Sequence, residues 1–261
     1  MRSLQLAWVF LRVNAMNELQ YRANFFVQLL QSAIALVAGL VVIGLVFSHT
    51  DQLRGWTHPE LLAVMGVHIV MGGIIGAFIQ PNMLRLTEDV RDGRLDFLLT
   101  KPEDAQLLVS VREFRIWRLV DVALGGIVLG YALLSMDAAL SPLGAVAFAA
   151  ALFLGAAMIY CFWLFVTTFA FWIIRLDEIV ELFEGIYQAG RWPVTIYPGW
   201  LRIGLTFLVP IAFAVTVPAE ALANRLTVDT LVLAFGFAAF LLLATRAWWR
   251  FGLRHYSGAS A

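Results

Sequence analysis

Apolar residues in this chain fall in long, nearly unbroken runs. They show neither the strict alternation of a half-buried strand nor the narrow stripe of a water-facing helix. A helix that crosses a bilayer needs about 20 mostly apolar residues. Six runs approach or exceed that length, at 25–47, 60–80, 116–135, 143–174, 200–217 and 231–248. The fourth is long enough for one tilted helix that continues past the membrane face, and no Gly-Pro pair, Asn or charge cluster divides it. Pro210 is expected to kink the fifth, because proline removes a backbone donor that neighbouring groups must then replace. The pattern predicts an all-α protein with six membrane-spanning helices.

Polar positions collect in three places. The first is the N-terminal segment, where Leu4, Trp8, Leu11 and Ala15 recur at helical spacing with Arg2, Gln5, Arg12 and Asn14 around the rest of the wheel. That pattern predicts an amphipathic helix lying in the interface, the plainer alternative being an extension of the first span. The second is LTEDVRDGRLDFLLTKPED, residues 86–104, in which nine of nineteen residues are charged. Span two is expected to continue as helix past Gln80 towards Asp92 and to break at Gly93. Leu95, Leu98 and Leu99 then share one face, Asp96 lies on another, and Pro102 stops the helix. A helix of about two turns is unstable alone in water, so it must pack on something. Its own spans and a second protein are both open as that surface. The third is RLDEIVELFEGIYQAGRWP, residues 175–193, read as an amphipathic cytoplasmic extension after span four. Asp177, Glu178, Glu181 and Glu184 form its acidic side. Four carboxylates raise the idea of a metal cage, but no His lies nearby, and such a cage needs many oxygen ligands. A solvated or partner-facing surface is the reading adopted, and no metal site is expected.

Composition turns these patterns into a membrane protein. Apolar residues make up 61% of the chain and charged residues 14%, against about 25% charged in ordinary soluble chains. Mean hydropathy is +0.83. Basic residues orient the spans. With both termini in the cytoplasm, 16 of the 18 Lys and Arg lie inside and only Arg54 and Arg225 outside. Trp56, Trp200, Trp248 and Trp249 fall at predicted span ends, where interfacial aromatics belong. The lone Cys161 excludes a disulfide within the chain. Arg2, Arg12, Glu18 and Arg22 interrupt the opening residues, so no cleaved signal peptide is expected.

Much chemistry is missing from the sequence. It contains no GxxxxGK[ST] phosphate loop, no HExxH, no CxxC and no GxSxG. Within the predicted spans the ionisable residues to note are His68 and, near the start of span three, Asp121. Such residues are functional candidates by default. A proton-coupled carrier needs a relay of several of them, and an enzyme needs a cluster. The four His, at positions 49, 58, 68 and 255, are scattered. No catalytic, cofactor-binding or metal-binding residues are assigned.

The six-span plan, YRANFF at the entry to span one, VRDGRLDFLLTKP between spans two and three, and the later RWPVTIYPGWLR and VPIAFAVTVPAE resemble the membrane permease subunits of ABC exporters of the ABC-2 class. The resemblance is to the small six-span subfamily without soluble domains, and it covers the chain as a single permease domain, 1–261. It implies a permease working as a homodimer or heterodimer on two separate ABC ATPase subunits, with ATP and magnesium bound by those partners. It implies a bacterial inner membrane, lipid around the chain and no nucleic acid. The short helix carrying Gly93, Leu95, Asp96, Leu98, Leu99 and Pro102 corresponds to a coupling helix docked on the ATPase. Asp177, Glu178, Glu181 and Glu184 offer a second contact. A substrate path is expected along Met65, His68, Met71, Gly72, Gly73, Gly76 and Pro210, although Gly and Met also serve close helix packing. Apolar span interiors suit a hydrophobic or amphiphilic substrate. The competing readings are a membrane-anchored scaffold that recruits a cytoplasmic partner and a stand-alone carrier or channel.

Overall fold

The computed structural model describes Arg12, Met16 and residues 22–136, 141–172 and 177–256, with the side chains of 22 and 177–180 outside the description. The expected interface helix around Leu4, Trp8, Leu11 and Ala15 lies outside the described residues. In chain order the helices are α1 (Arg22–Phe47), α2 (His58–Arg91), α3 (Leu95–Leu99), α4 (Ala105–Ser110), α5 (Ile116–Ser135), α6 (Pro142–Phe171), α7 (Asp177–Tyr187), α8 (Gly199–Leu208), α9 (Ala212–Leu222) and α10 (Val228–His255). Helix is what an apolar medium imposes. No water is present to take the backbone N–H and C=O groups, so a spanning segment satisfies them internally. The helices α1, α2, α5, α6 and α10 are each long and apolar enough to cross a bilayer, and α8 and α9 pass that test only as a pair, bent by 79°.

The spine of the fold is α2. Its first turn is held by the Glu60 carboxylate, which accepts a hydrogen bond from Thr57 N–H at 2.8 Å. It then runs on as expected past Gln80 to Arg91. Pro81 cannot donate to the Ala77 carbonyl one turn back. A wider π turn spans Ile75–Ile79 just before it, and the Ala77 carbonyl accepts instead from Arg115 N–H at 3.1 Å. The next residue, Asn82, extends that strap. Its amide oxygen accepts from the backbone N–H groups of Arg112 and Glu113, and its NH₂ donates to the carbonyls of Glu113 and Phe78. A proline placed to break the helix thus opens an attachment point for the segment leading into α5. At the far end Gly93 adopts φ +69°, the left-handed backbone that side chains resist, and the helix stops there.

Helix α5 packs on α2 through glycines. A Cβ on Gly73 would stand 2.7 Å from Val122 Cγ2, and one on Gly125 would stand 2.8 Å from Val70 N. This is the close approach that small residues permit between membrane helices. Helix α1 is the opposite case, with most of its length on the outside of the bundle.

Two expectations are corrected. The fifth run, 200–217, is not one kinked span. Thr216 Oγ1 accepts from Val194 N–H at 3.2 Å, Thr195 Oγ1 accepts from Trp56 Nε1 at 3.1 Å, and Arg225, just past α9, pairs with Glu60 at 3.3 Å. Both ends of the α8–α9 pair therefore sit at the Trp56–Glu60 end of the bundle. Its turn at Pro210 reaches inward, where Ile211 meets Gly190 and Phe213 meets Phe237. Pro210 and the break at 209–211 re-aim the chain more sharply than a simple kink. The acidic segment 175–193 is likewise not an extension below the bundle. From α7 onward it climbs alongside α2. Glu184 meets Gln80, Tyr187 meets His68, and Thr195 reaches Trp56. Phe183 and Tyr187 are buried and, with Glu184, line a cavity, so average hydropathy hides the course of this segment. Consequently Arg191 and Arg202 leave the basic end to which the sequence reading assigned them. Arg191 lines that cavity, and Arg202 lies within electrostatic range of Glu220.

Candidate functional site

Between α1, α2, the start of α5, α7 and the turn after it lies a cavity of about 330 Å³. Its floor is the α2 face on which Met65, His68, Gly72, Gly73 and Gly76 recur. Of the residues expected along a substrate path, Met65 and His68 line this cavity and Met71 and Pro210 do not. Met71 points into the core with no exposed surface, and Pro210 is buried at the turn between α8 and α9.

Charged and polar groups enter this cavity from other helices. Asp121 accepts hydrogen bonds from Ser32 Oγ and from Gln28 Nε2, the latter at 3.1 Å, and pairs with Arg118 at 3.5 Å. Gln28 and Ser32 stand one turn apart on α1, and this cluster ties that sparsely packed helix to α5. Glu184 accepts from Gln80 Nε2 at 2.9 Å. The His68 ring stacks on Tyr187 with centroids 4.4 Å apart, while Tyr187 donates its hydroxyl to the His68 carbonyl at 2.8 Å. His68 Nδ1 is buried with no hydrogen-bond partner. Arg191 makes no ion pair or hydrogen bond among the described residues. No cluster of three or more metal-ligating side chains occurs among the described residues.

The second feature lies at the other end of α2. The Asp89 side chain is 2% exposed and receives Arg94 at 3.2 Å, Arg85 at 3.6 Å and, by a close ion pair, Arg112. This knot closes the turn at Gly93 and presses α3 back against α2. Leu95 and Leu98 are buried by the chain itself, whereas Phe97 is 74% and Leu99 39% exposed. The sequence reading grouped all three leucines on one docking face. In the structure Leu95 and Leu98, three residues apart, anchor α3 inward, and Phe97 and Leu99 are what remains to meet another surface. Asp96 is half-buried and Pro102 exposed. The following helix, α4, is capped by Asp104, which accepts from Leu107 N–H at 3.2 Å and pairs with Arg246 of α10. The hydrogen bond from Arg246 holds the Asp104 carboxyl below its ordinary value. Gln106 and Ser110 bind the Tyr160 hydroxyl of α6 at 3.2 and 2.8 Å.

Of the acidic residues proposed as a second contact, Glu181 is exposed and Glu184 faces the cavity, while the side chains of Asp177 and Glu178 lie outside the description. The sequence reading missed Gln28, Ser32, Gln80, Arg118, Tyr187 and Arg191 at the cavity, and Asp89 and Phe97 at the turn. Gln28 and Ser32 carried a signal, as polar residues four apart within an apolar run. Arg191 carried none, since its place depends on the unexpected course of α7.

In comparison with curated proteins and solved structures, the chain matches none. The family model described as ABC-2 family transporter protein matches residues 33–260. That stretch takes in nearly all of the cavity, the whole turn at Gly93 and the bent α8–α9 pair. With its apolar spans, the chain is an integral membrane protein and belongs to the ABC-2 transporter family.

Proposed function

We propose that this chain is the permease subunit of an ATP-driven exporter, working as a homodimer or with a paralogous permease on two ABC ATPase subunits. Family membership implies the ATPase partners. ATP and magnesium are bound by those partners, and the chain itself catalyses nothing. It forms one membrane domain in a bacterial inner membrane with the Gly93 turn in the cytoplasm, the end carrying most of the arginines. The observation that carries the reading is the continuity of α2, one helix from His58 to Arg91. It floors the cavity through Met65, His68, Gly72 and Gly76, then delivers the exposed Phe97 and Leu99 to a surface below. Closure of the ATPases on ATP pushes α3, and the Asp89 knot passes that displacement to α2 and so to the cavity wall. The cavity is the substrate path, and its mixture of apolar wall and charged groups suits an amphiphile.

The test is a detergent pull-down from native membranes with ATP hydrolysis measured on the eluate. An ATPase is expected to co-purify. Phe97→Asp removes it while leaving the thermal midpoint of the permease unchanged, because the ring is already in solvent. Leu98→Asp is the poorer probe, since it puts a carboxylate into the buried face. Retention of the ATPase at wild-type level by Phe97→Asp sinks the docking assignment. A wild-type chain that comes down alone and inert towards ATP sinks the permease reading.

A further inference from the structure

We propose that the α1–α2–α7 cavity binds an anionic amphiphile, its acidic head held between the Arg191 guanidinium and the His68 imidazole. The substrate role rests on the permease reading, whereas binding does not. The carboxylates bordering the cavity have hydrogen-bond partners, whereas the Arg191 side chain and His68 Nδ1 have none among the described residues. Asp121 already accepts from Ser32 and Gln28 and pairs with Arg118, and Glu184 accepts from Gln80. Arg191 has donors and no acceptor among the described residues. His68 is 7% exposed, and its Nδ1 is sealed without a partner against Gly190, where a Cβ would stand 3.3 Å away.

A buried N–H lacking an acceptor is rarer than a bare lone pair. Nδ1 therefore keeps the lone pair, and the proton sits on Nε2, the edge of the ring left to the cavity. The two free donors call for an anion. The rest of the wall is apolar, formed by Leu36, Gly39, Ile43 and Met65. A space of about 330 Å³ takes an acidic head and a stretch of chain, not a whole two-chain lipid. One wall is α1, the least covered of the spanning helices, which puts the site beside the hydrocarbon from which an amphiphile enters.

The full chain in phosphatidylcholine nanodiscs is tested by native mass spectrometry with dodecanoate, dodecanol and dodecyltrimethylammonium. Dodecanoate is expected to be retained over the other two. Arg191→Gln is expected to weaken dodecanoate binding about tenfold, the loss of one charge-assisted hydrogen bond, and to leave dodecanol unchanged. Arg191→Glu is expected to turn the preference towards the ammonium. Arg191 is exposed, so these variants keep the fold, and a thermal midpoint in the same discs checks this. Discs that include phosphatidylglycerol separate two sources of the same chemistry. Displacement of dodecanoate identifies a resident anionic lipid, and its persistence identifies a single-chain solute. Equal retention of the alcohol or the ammonium, or indifference to Arg191→Gln, overturns the proposal. ATPase capture scored on the same preparations reports the permease reading separately.

Discussion

The two ends of α2 are built on opposite terms. Towards Arg91, polar groups find partners. Asp89 gathers three arginines, Asn82 uses both its oxygen and its nitrogen, and the carbonyl released by Pro81 is taken by Arg115. Towards His68 the same helix borders open space, with an imidazole nitrogen unpaired and an arginine free of carboxylates among the described residues. The clamped end suits a part that must move as a unit when pushed. The open end suits a part that must meet something that comes and goes. One continuous helix joins a rigid handle to an unsatisfied wall, and it is the contrast that makes a transport reading physical.

The comparison is broken most severely at the handle. Asp89→Asn removes the charge that three guanidiniums share. Losing one partner of a buried pair costs about 3–5 kcal/mol, reduced here to about 2–4 because the arginines reach solvent. The expected result is a clearly lower thermal midpoint in detergent together with loss of the co-purifying ATPase. An unchanged midpoint removes the handle from the argument. At the open end a smaller effect is expected. Asp121→Ala frees Gln28 and Ser32 from α5, and interhelical hydrogen bonds in membranes average about 0.6 kcal/mol each, so about 1 kcal/mol is lost. The informative readout is labelling of a cysteine at Leu36 by a thiol reagent, which should quicken as α1 loosens. Labelling no faster than in the Asp121 parent means that α1 is held by something else.

The smallest effect comes from Asp104 at the edge of the clamped end. Its carboxyl is depressed below the ordinary 3.8 by Arg246. The stability it contributes is therefore present above that value and disappears as pH falls through the lower folded value. The side chain is 44% exposed, so solvent screening limits the term to about 0.3 kcal/mol. Asp104→Asn should lower the thermal midpoint near neutrality by that amount and leave it unchanged well below the folded value, so that its fall towards acid pH is flatter. A difference at acid pH as large as at pH 7 contradicts the assignment.

Much of the handle was legible in the sequence. Gly93 as the break, helix beyond Gln80, and a short apolar-faced helix stopped before Pro102 all follow from local rules. Those rules act within a few residues of where they are read. Phe97 was missed because helical periodicity groups leucines on a face without saying which face the chain covers itself. The cavity was half legible. Met65, His68 and the glycines lie at helical spacing on one run, but Met71 lies on the same run and faces the core.

By itself the sequence determined the solvent, the class of structure and the long helices, because a bilayer leaves a backbone no other way to satisfy its polar groups. Tertiary structure alone decided the path of 177–196 beside α2 and the folding back of α8 on α9 at Pro210. Those outcomes depend on Glu184 finding Gln80, Tyr187 finding His68 and Thr195 finding Trp56. Each partner lies more than 100 residues away, and neither hydropathy nor periodicity carries information over that distance.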